Sequence, residues 1–186
     1  MHLHNFKKIS INGIEMQELS IGGVQIWKSG PTNLMPLSIE ADGTPYNGGL
    51  GYKEGYRVRS GGAEAYYSTL SFCTGFIPYQ AGQTVRMYSP YGFGSDGAVP
   101  SVTVYDTNKT VLGQAANNGK YGIITKTWSN LTAVDENGII SLSIPQTETR
   151  ADEIAWIRLT LILGTTPSNI SAGMAETVIT INEEIL

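Results

Sequence analysis

Nucleophilic catalysis needs a hydroxyl or thiol beside a base, most often histidine. The chain has 2 histidines, His2 and His4, which precede the first candidate strand. Serine and threonine are plentiful, but a hydroxyl without a base is not a nucleophile. The single cysteine, Cys73, lies between Phe72 and Thr74 and reads as a small buried residue rather than a reactive thiol. Alone, it makes no internal disulfide. Glycoside hydrolysis would need two carboxylates facing each other across about 5–9 Å. Of the 16 acidic residues, Asp42, Asp96, Asp106, Asp135, Glu136 and Asp152 sit beside turn residues, where aspartate side chains bond to the turn backbone. No catalytic residue is assigned, and the expectation is a protein that is not an enzyme.

Metal chemistry has two openings. His2 and His4 fall on the same side of an extended strand, so three copies at a trimer axis would offer six nitrogens to a transition metal. The competing reading, which is preferred, is a frayed terminus. Calcium held by loop oxygens near Glu40, Asp42 or Asp106 is the second opening, but no loop has a recognised calcium spacing. No cofactor is expected.

Glycan recognition fits the composition better. Neutral sugars are held by aromatic faces under their C–H surfaces, while amides and carboxylates read their hydroxyls. The chain has 10 tyrosines and only 15% charged residues, against a usual charged share of about 25%. Two loops combine rings with polar side chains: Tyr46 and Asn47 with Tyr52, and Tyr88, Tyr91 and Phe93 with Asp96. These seven residues are the candidate ligand-binding set. The competing reading places the same tyrosines in half-buried strands or subunit contacts, where tyrosine is also favoured.

The net charge is −4 and the 12 lysines and arginines are scattered, so nucleic acid is not an expected partner. The first residues carry no apolar run of the kind a signal peptide has. The longest apolar stretch, 157–163, is broken by Arg158 and Thr160 and is too short to span a bilayer. A soluble chain made in a cytoplasm is expected, without membrane insertion.

The elements that must position these residues are strands. Ile9-Ser10-Ile11-Asn12-Gly13-Ile14 is followed ten residues later by Leu19-Ser20-Ile21-Gly22-Gly23-Val24. Each copy is two alternating runs around an Asn-Gly or Gly-Gly dipeptide, the signature of a two-residue hairpin. Two such hairpins cannot bury enough surface to be stable alone. Ile9, Ile11, Leu19, Ile21, Ile26 and Trp27 are therefore expected to be covered by another subunit or a larger assembly. Residues 1–30 read as a docking or oligomerisation segment, 31–36 as a Pro/Gly linker, and 37–186 as one β domain. Its candidate strands are 56–59, 71–77, 84–88, 101–105, 122–128, 139–144, 154–163 and 176–182. Val85 and Met87 alternate with Arg86 and Tyr88, and Ile157, Leu159 and Leu161 with Arg158 and Thr160. Period two predicts one face packed inward and one meeting water. Short helical turns are possible only at 151–155 and 166–172. The number of strands predicts an all-β, jelly-roll-like antiparallel sandwich, with an immunoglobulin-like sandwich as the rival.

Several segments, taken in order, resemble a known class. Val24-Gln25-Ile26-Trp27-Lys28 is similar to the N-terminal adaptor of structural proteins from tailed phages and prophages of Gram-positive bacteria. Thr32–Pro36, Tyr46–Tyr52, Gly55–Val58, Thr74–Pro78, Ala81–Arg86 and Ala155–Leu159 resemble carbohydrate-binding jelly rolls of phage tail, baseplate and fibre proteins. The resemblance implies a virion component, present in the bacterial cytoplasm before release if it is a prophage product. It further implies a homotrimer in contact with other virion proteins that binds host-surface glycan multivalently. It supplies no mapped binding site. A purely structural virion part is the alternative, and a glycoside-hydrolase accessory module or small hydrolase the next.

Overall fold

The computed structural model describes residues 33–165 and 170–182, and between 9 and 28 the backbone of four strands. The chain divides into two compact units, Met1–Thr32 and Asn33–Leu186.

In the first unit β1 (Ile9–Ile11) pairs antiparallel with β2 (Ile14–Met16), and β3 (Glu18–Ile21) with β4 (Val24–Lys28). These are the two serial hairpins expected from the Asn12-Gly13 and Gly22-Gly23 dipeptides. His2 and His4 lie outside the described residues. So do the side chains of Ile9, Ile11, Leu19, Ile21, Ile26 and Trp27.

The second unit is an antiparallel β-sandwich. Its strands run β5 (Tyr52–Glu54), β6 (Tyr56–Val58), β7 (Glu64–Tyr66), β8 (Ser71–Thr74), β9 (Ile77–Pro78), β10 (Thr84–Tyr88) and β11 (Ser101–Tyr105). They continue with β12 (Val111–Ala116), β13 (Gly119–Gly122), β14 (Thr132–Val134), β15 (Ile140–Ser143), β16 (Trp156–Ile162) and β17 (Val178–Ile181). The smaller sheet has the order β14-β15-β10-β17, and the larger β13-β12-β11-β16-β8-β5, with β9 also on β16. The chain crosses between the sheets after β9, β10, β13, β15 and β16, which gives the jelly-roll-like path. A separate two-stranded hairpin, β6–β7, is joined in register Tyr56 to Tyr66.

Alternation builds the core. Val85 and Met87 of β10, Leu142 of β15 and Ile179 of β17 face Phe72 of β8, Val102 and Val104 of β11, and Ile157, Leu159 and Leu161 of β16. All ten are completely buried. Trp128 and Leu131 of α1 (Trp128–Leu131) and Met174 of α2 (Ile170–Ala175) join the same cluster.

The structure differs from the sequence reading at several places. Residues 33–36, expected as linker, belong to the sandwich. Leu34 N–H donates to Ile179 O at 2.8 Å, Asn33 bridges to Thr177 and Ile179, and Met35 is in the core. The expected strand 71–77 is split at Gly75, where a Cβ would sit 2.5 Å from Tyr46 Cβ and 2.7 Å from Ile39 O. The loop 38–50 presses against the strand there. The expected strand 122–128 is absent. Gly122, at φ +65 and with no room for a Cβ beside Leu112 O, ends β13, and Trp128 opens α1. The outer face of the larger sheet, expected to meet water, is buried: Arg158 is 5% exposed and Thr160 0%.

Candidate functional site

The middle of that buried outer face is polar. Register places Gln114, Thr103 and Arg158 in one cross-strand row, and Ser101, Thr160, Cys73 and Lys53 in the next. The β6–β7 hairpin lies over these rows. Val58 N–H donates to Thr160 Oγ1 at 3.0 Å, and Gln114 Nε2 donates to Val58 O at 2.9 Å and to Thr103 Oγ1 at 2.8 Å. Every buried amide and hydroxyl in this small network therefore has a partner, as burial requires.

Beside it sits an ionic cluster. Arg158 Nη2 donates to Glu64 Oε1 at 2.5 Å and to Tyr46 Oη at 3.1 Å, while its Nε donates to Thr74 O at 2.9 Å. Tyr46 Oη donates to Glu64 Oε1 at 2.8 Å, and Lys53 Nζ donates to Glu64 Oε2 at 2.8 Å. Burial alone would raise the Glu64 carboxyl, but the hydrogen bonds from Lys53, Arg158 and Tyr46 outweigh it and bring it down to about 2. Burial works against the Arg158 charge, yet the Glu64 bond leaves it above its ordinary value. Cys73 Sγ lies 3.5 Å from Tyr46 Oη, and burial pushes the thiol up. This is a fully satisfied structural charge cluster, with no free nucleophile in it.

A cleft of about 460 Å³ opens next to the cluster, lined by Phe76, Tyr105, Lys109, Val111 and Tyr121 and by the Ser60-Gly61-Gly62 turn of the hairpin. Phe76 connects the two. Its ring meets Tyr105 edge-on at 4.8 Å, with the Arg158 guanidinium 5.2 Å and the Lys109 amine 5.6 Å from its centroid. Lys109 also stands 5.0 Å from the Trp156 ring and donates to Ala41 O at 2.9 Å. Tyr121 is 54% exposed. Tyr105 is 2% exposed, and its hydroxyl is fully buried without a hydrogen-bond partner. Burial raises that hydroxyl to about 12.

A larger groove of about 720 Å³ runs along another part of the sandwich between Gln80, Gln83, Asn108, Asp106, Asp152 and Glu153. It brings carboxylates together, but two of the three already have structural partners. Asp106 Oδ1 accepts the N–H groups of Asn108 and Thr110, and Glu153 makes two 2.6 Å bonds to Arg150. The Arg150 bonds hold Glu153 below its ordinary value, the opposite of what a general acid needs at neutral pH. The other suggested oxygens are similarly occupied. Asp42 Oδ1 accepts from Thr44, and Glu40 Oε1 accepts from Asn47 N–H. Among the described residues no three His, Cys, Asp or Glu side chains gather as a metal site.

The seven ligand-binding candidates do not converge. Tyr46 is 2% and Tyr52 9% exposed. The Tyr46 hydroxyl is drawn into the Arg158 cluster and the Tyr52 ring packs edge-on against Phe72 at 6.3 Å, so neither ring presents a face to solvent. Asn47, at φ 49, turns its Nδ2 back to Tyr52 O at 2.7 Å. The second loop is bound to the far end of the same sheet. Phe93 bridges to Leu163, Gly94 N–H donates to Ile162 O, and Asp96 O accepts from the Tyr67 hydroxyl. Tyr52 pairs with Thr74 at one end of β8, while Leu163 bonds to Leu70 beyond the other. Tyr88, Tyr91 and Phe93 are half-buried and Asp96 is exposed. Sequence reasoning missed the Phe76, Tyr105, Lys109 and Tyr121 set, because no spacing relates residues on three separate segments. Comparison with known proteins adds no relative: no family model, curated protein or solved structure matches the chain.

Proposed function

We propose that this chain is a tail-appendage component of a tailed phage or prophage, acting as a glycan-binding module without catalysis. The observation that carries this reading is the sheet-face cleft of about 460 Å³, where the exposed Tyr121, the largely buried Phe76 and Tyr105 and the Lys109 amine line a space large enough for a sugar. An aromatic platform beside few, well-placed polar groups is how saccharides are held. The resemblance of the N-terminal hairpins and sandwich segments to phage tail modules supplies the setting. The partners would be further copies of this chain, trimer favoured, other virion proteins and a host-surface glycan. Several weak sites on one particle then add through effective concentration.

The test begins with the solution mass of the full chain and of a chain starting at Pro31. A trimer that falls to monomer on truncation supports an assembly segment carrying a separable module, and glycan arrays are then probed with the trimer. Monomers in both cases overturn the self-assembly part. Absence of any glycan signal from the full chain overturns the binding part and leaves a structural virion component.

A further inference from the structure

The Tyr105 hydroxyl is unexplained by folding. A buried hydroxyl without a partner lowers stability, and the Tyr105 hydroxyl is buried with no hydrogen-bond partner. Among the described residues the other buried side-chain atom without a partner is Arg57 Nε, on the hairpin that covers this face. Phenylalanine would keep the edge-on packing against Phe76 and remove the penalty.

The hydroxyl lies directly beneath the hairpin turn. A Cβ on Gly62 would be 3.7 Å from Tyr105 Oη and 2.7 Å from Val111 Cγ2, so only a glycine hydrogen separates turn from floor. The turn is closed by its own bonds, Arg59 N–H to Ala63 O at 2.9 Å and Gly62 N–H to Arg59 O at 2.8 Å. A ligand oxygen reaches the Tyr105 hydroxyl only when this turn is displaced. The charge of the surroundings says which oxygen. Lys109 and Arg158 both stand against Phe76. Arg158 and Lys53 are both engaged by Glu64, so among the described residues Lys109 is the one charged side chain in the lining of the cleft, with Asp42 nearby. The lining carries one amine and no carboxylate, in a chain of net charge −4.

We propose that the cleft receives an anionic sugar, its ring against Tyr121 and its acidic group toward Lys109 and the Tyr105 hydroxyl. The proposal rests on the glycan-binding reading and narrows it to saccharides carrying a carboxylate or a phosphate.

Calorimetric or NMR titration of the full chain tests it with matched sets: galactose, galacturonic acid and galactose 1-phosphate, and the corresponding glucose series. The expected result is that an anionic member of a set binds roughly tenfold more tightly than its neutral counterpart. Which member wins separates a carboxylate from a phosphate ligand. Lys109→Met abolishes the preference. Tyr105→Phe weakens the anionic sugar about fivefold while leaving Tm unchanged or raised. That pairing separates a ligand-reading hydroxyl from one that serves folding. Equal affinity for neutral and anionic members overturns the anionic assignment and leaves the glycan reading standing. A Tm drop in Tyr105→Phe with binding unchanged overturns the role of the hydroxyl. No binding by any sugar, here or on the arrays, overturns both.

Discussion

Arg158, at the middle of the larger sheet, and Glu64, on the hairpin that covers it, share a 2.5 Å hydrogen bond across 94 residues of sequence. The arginine is almost wholly buried, whereas the carboxylate keeps some solvent contact, with side-chain exposures of 6% and 22%. Removing one partner leaves the other charge buried without compensation, which typically costs about 3–5 kcal/mol. Arg158→Met and Glu64→Gln are each expected to fall near the lower end of that range, because Glu64 is partly exposed. The double variant should lose less than the two combined, with a coupling of at least about 1 kcal/mol. Urea unfolding of all four proteins measures the cycle, and an additive result would show that the pair does not act as a unit.

The same carboxylate sets an acid limit. Glu64 binds its proton less tightly in the folded chain, at about 2, than at its ordinary value of 4.5. Its contribution to stability is therefore complete above about 4.5 and drains away as pH falls toward 2. Thermal unfolding followed from pH 6 to pH 2.5 should show this loss, and Glu64→Gln should flatten the part of the curve below about 4.5.

Cys73 should be inert. It is completely buried, and burial raises its thiol above the ordinary range. Because the thiolate is the reactive form, a disulfide reagent at neutral pH should leave the folded protein unmodified and titrate one thiol in denaturant. Rapid labelling under native conditions would mean that the hairpin and the 38–50 loop open far more readily than their bonds imply.

Asn33 clamps the start of the sandwich to its last strand. Its Oδ1 accepts from Met35 N–H at 3.2 Å and Ile179 N–H at 3.1 Å, and its Nδ2 donates to Thr177 O at 2.9 Å. Asn33→Ala should cost about 1–3 kcal/mol by leaving these backbone groups unpaired. A chain begun at Leu37 should lose more, since Met35 leaves the core as well. Tm measurements on both proteins check this, and truncation to Leu37 without loss would return 33–36 to the status of linker.

Alternation made much of the sandwich legible. Strands 84–88 and 101–105 run from end to end as Val85 with Met87 and Val102 with Val104 predict. It failed where a face is covered by irregular chain. Ile157, Leu159 and Leu161 mark one side of β16 correctly, but period two states only that Arg158 and Thr160 share the other side, not what lies over it. The cover comes from the 38–50 loop and the β6–β7 hairpin, segments of Gly, Ser and Tyr without a period. The strand Val111–Ala116 escaped notice because Gly113 and Ala115 carry little strand propensity. Gly113 is required there, since a Cβ would lie 2.7 Å from Tyr121 O. Tyr46 looked like a sugar platform because Asn47, Gly48 and Gly49 follow it. Its hydroxyl instead finds a guanidinium 112 residues away, a relation that only the folded chain creates.

The clamp at Asn33 also has a mechanical consequence. Leu34 bonds to Ile179 on the free edge of β17, while Asn182 exchanges bonds with Thr84 three residues further along. At about 3.3 Å per strand residue, positions 34 and 182 are anchored only ~10 Å apart along the strand. A short bridge between them would permit circular permutation, and the whole sandwich would fit as a cassette into a loop of another protein. A tether pulling on position 33 loads Asn33, Leu34 and the β17 edge first, so tension is borne at one seam while the cleft on the opposite sheet keeps its shape.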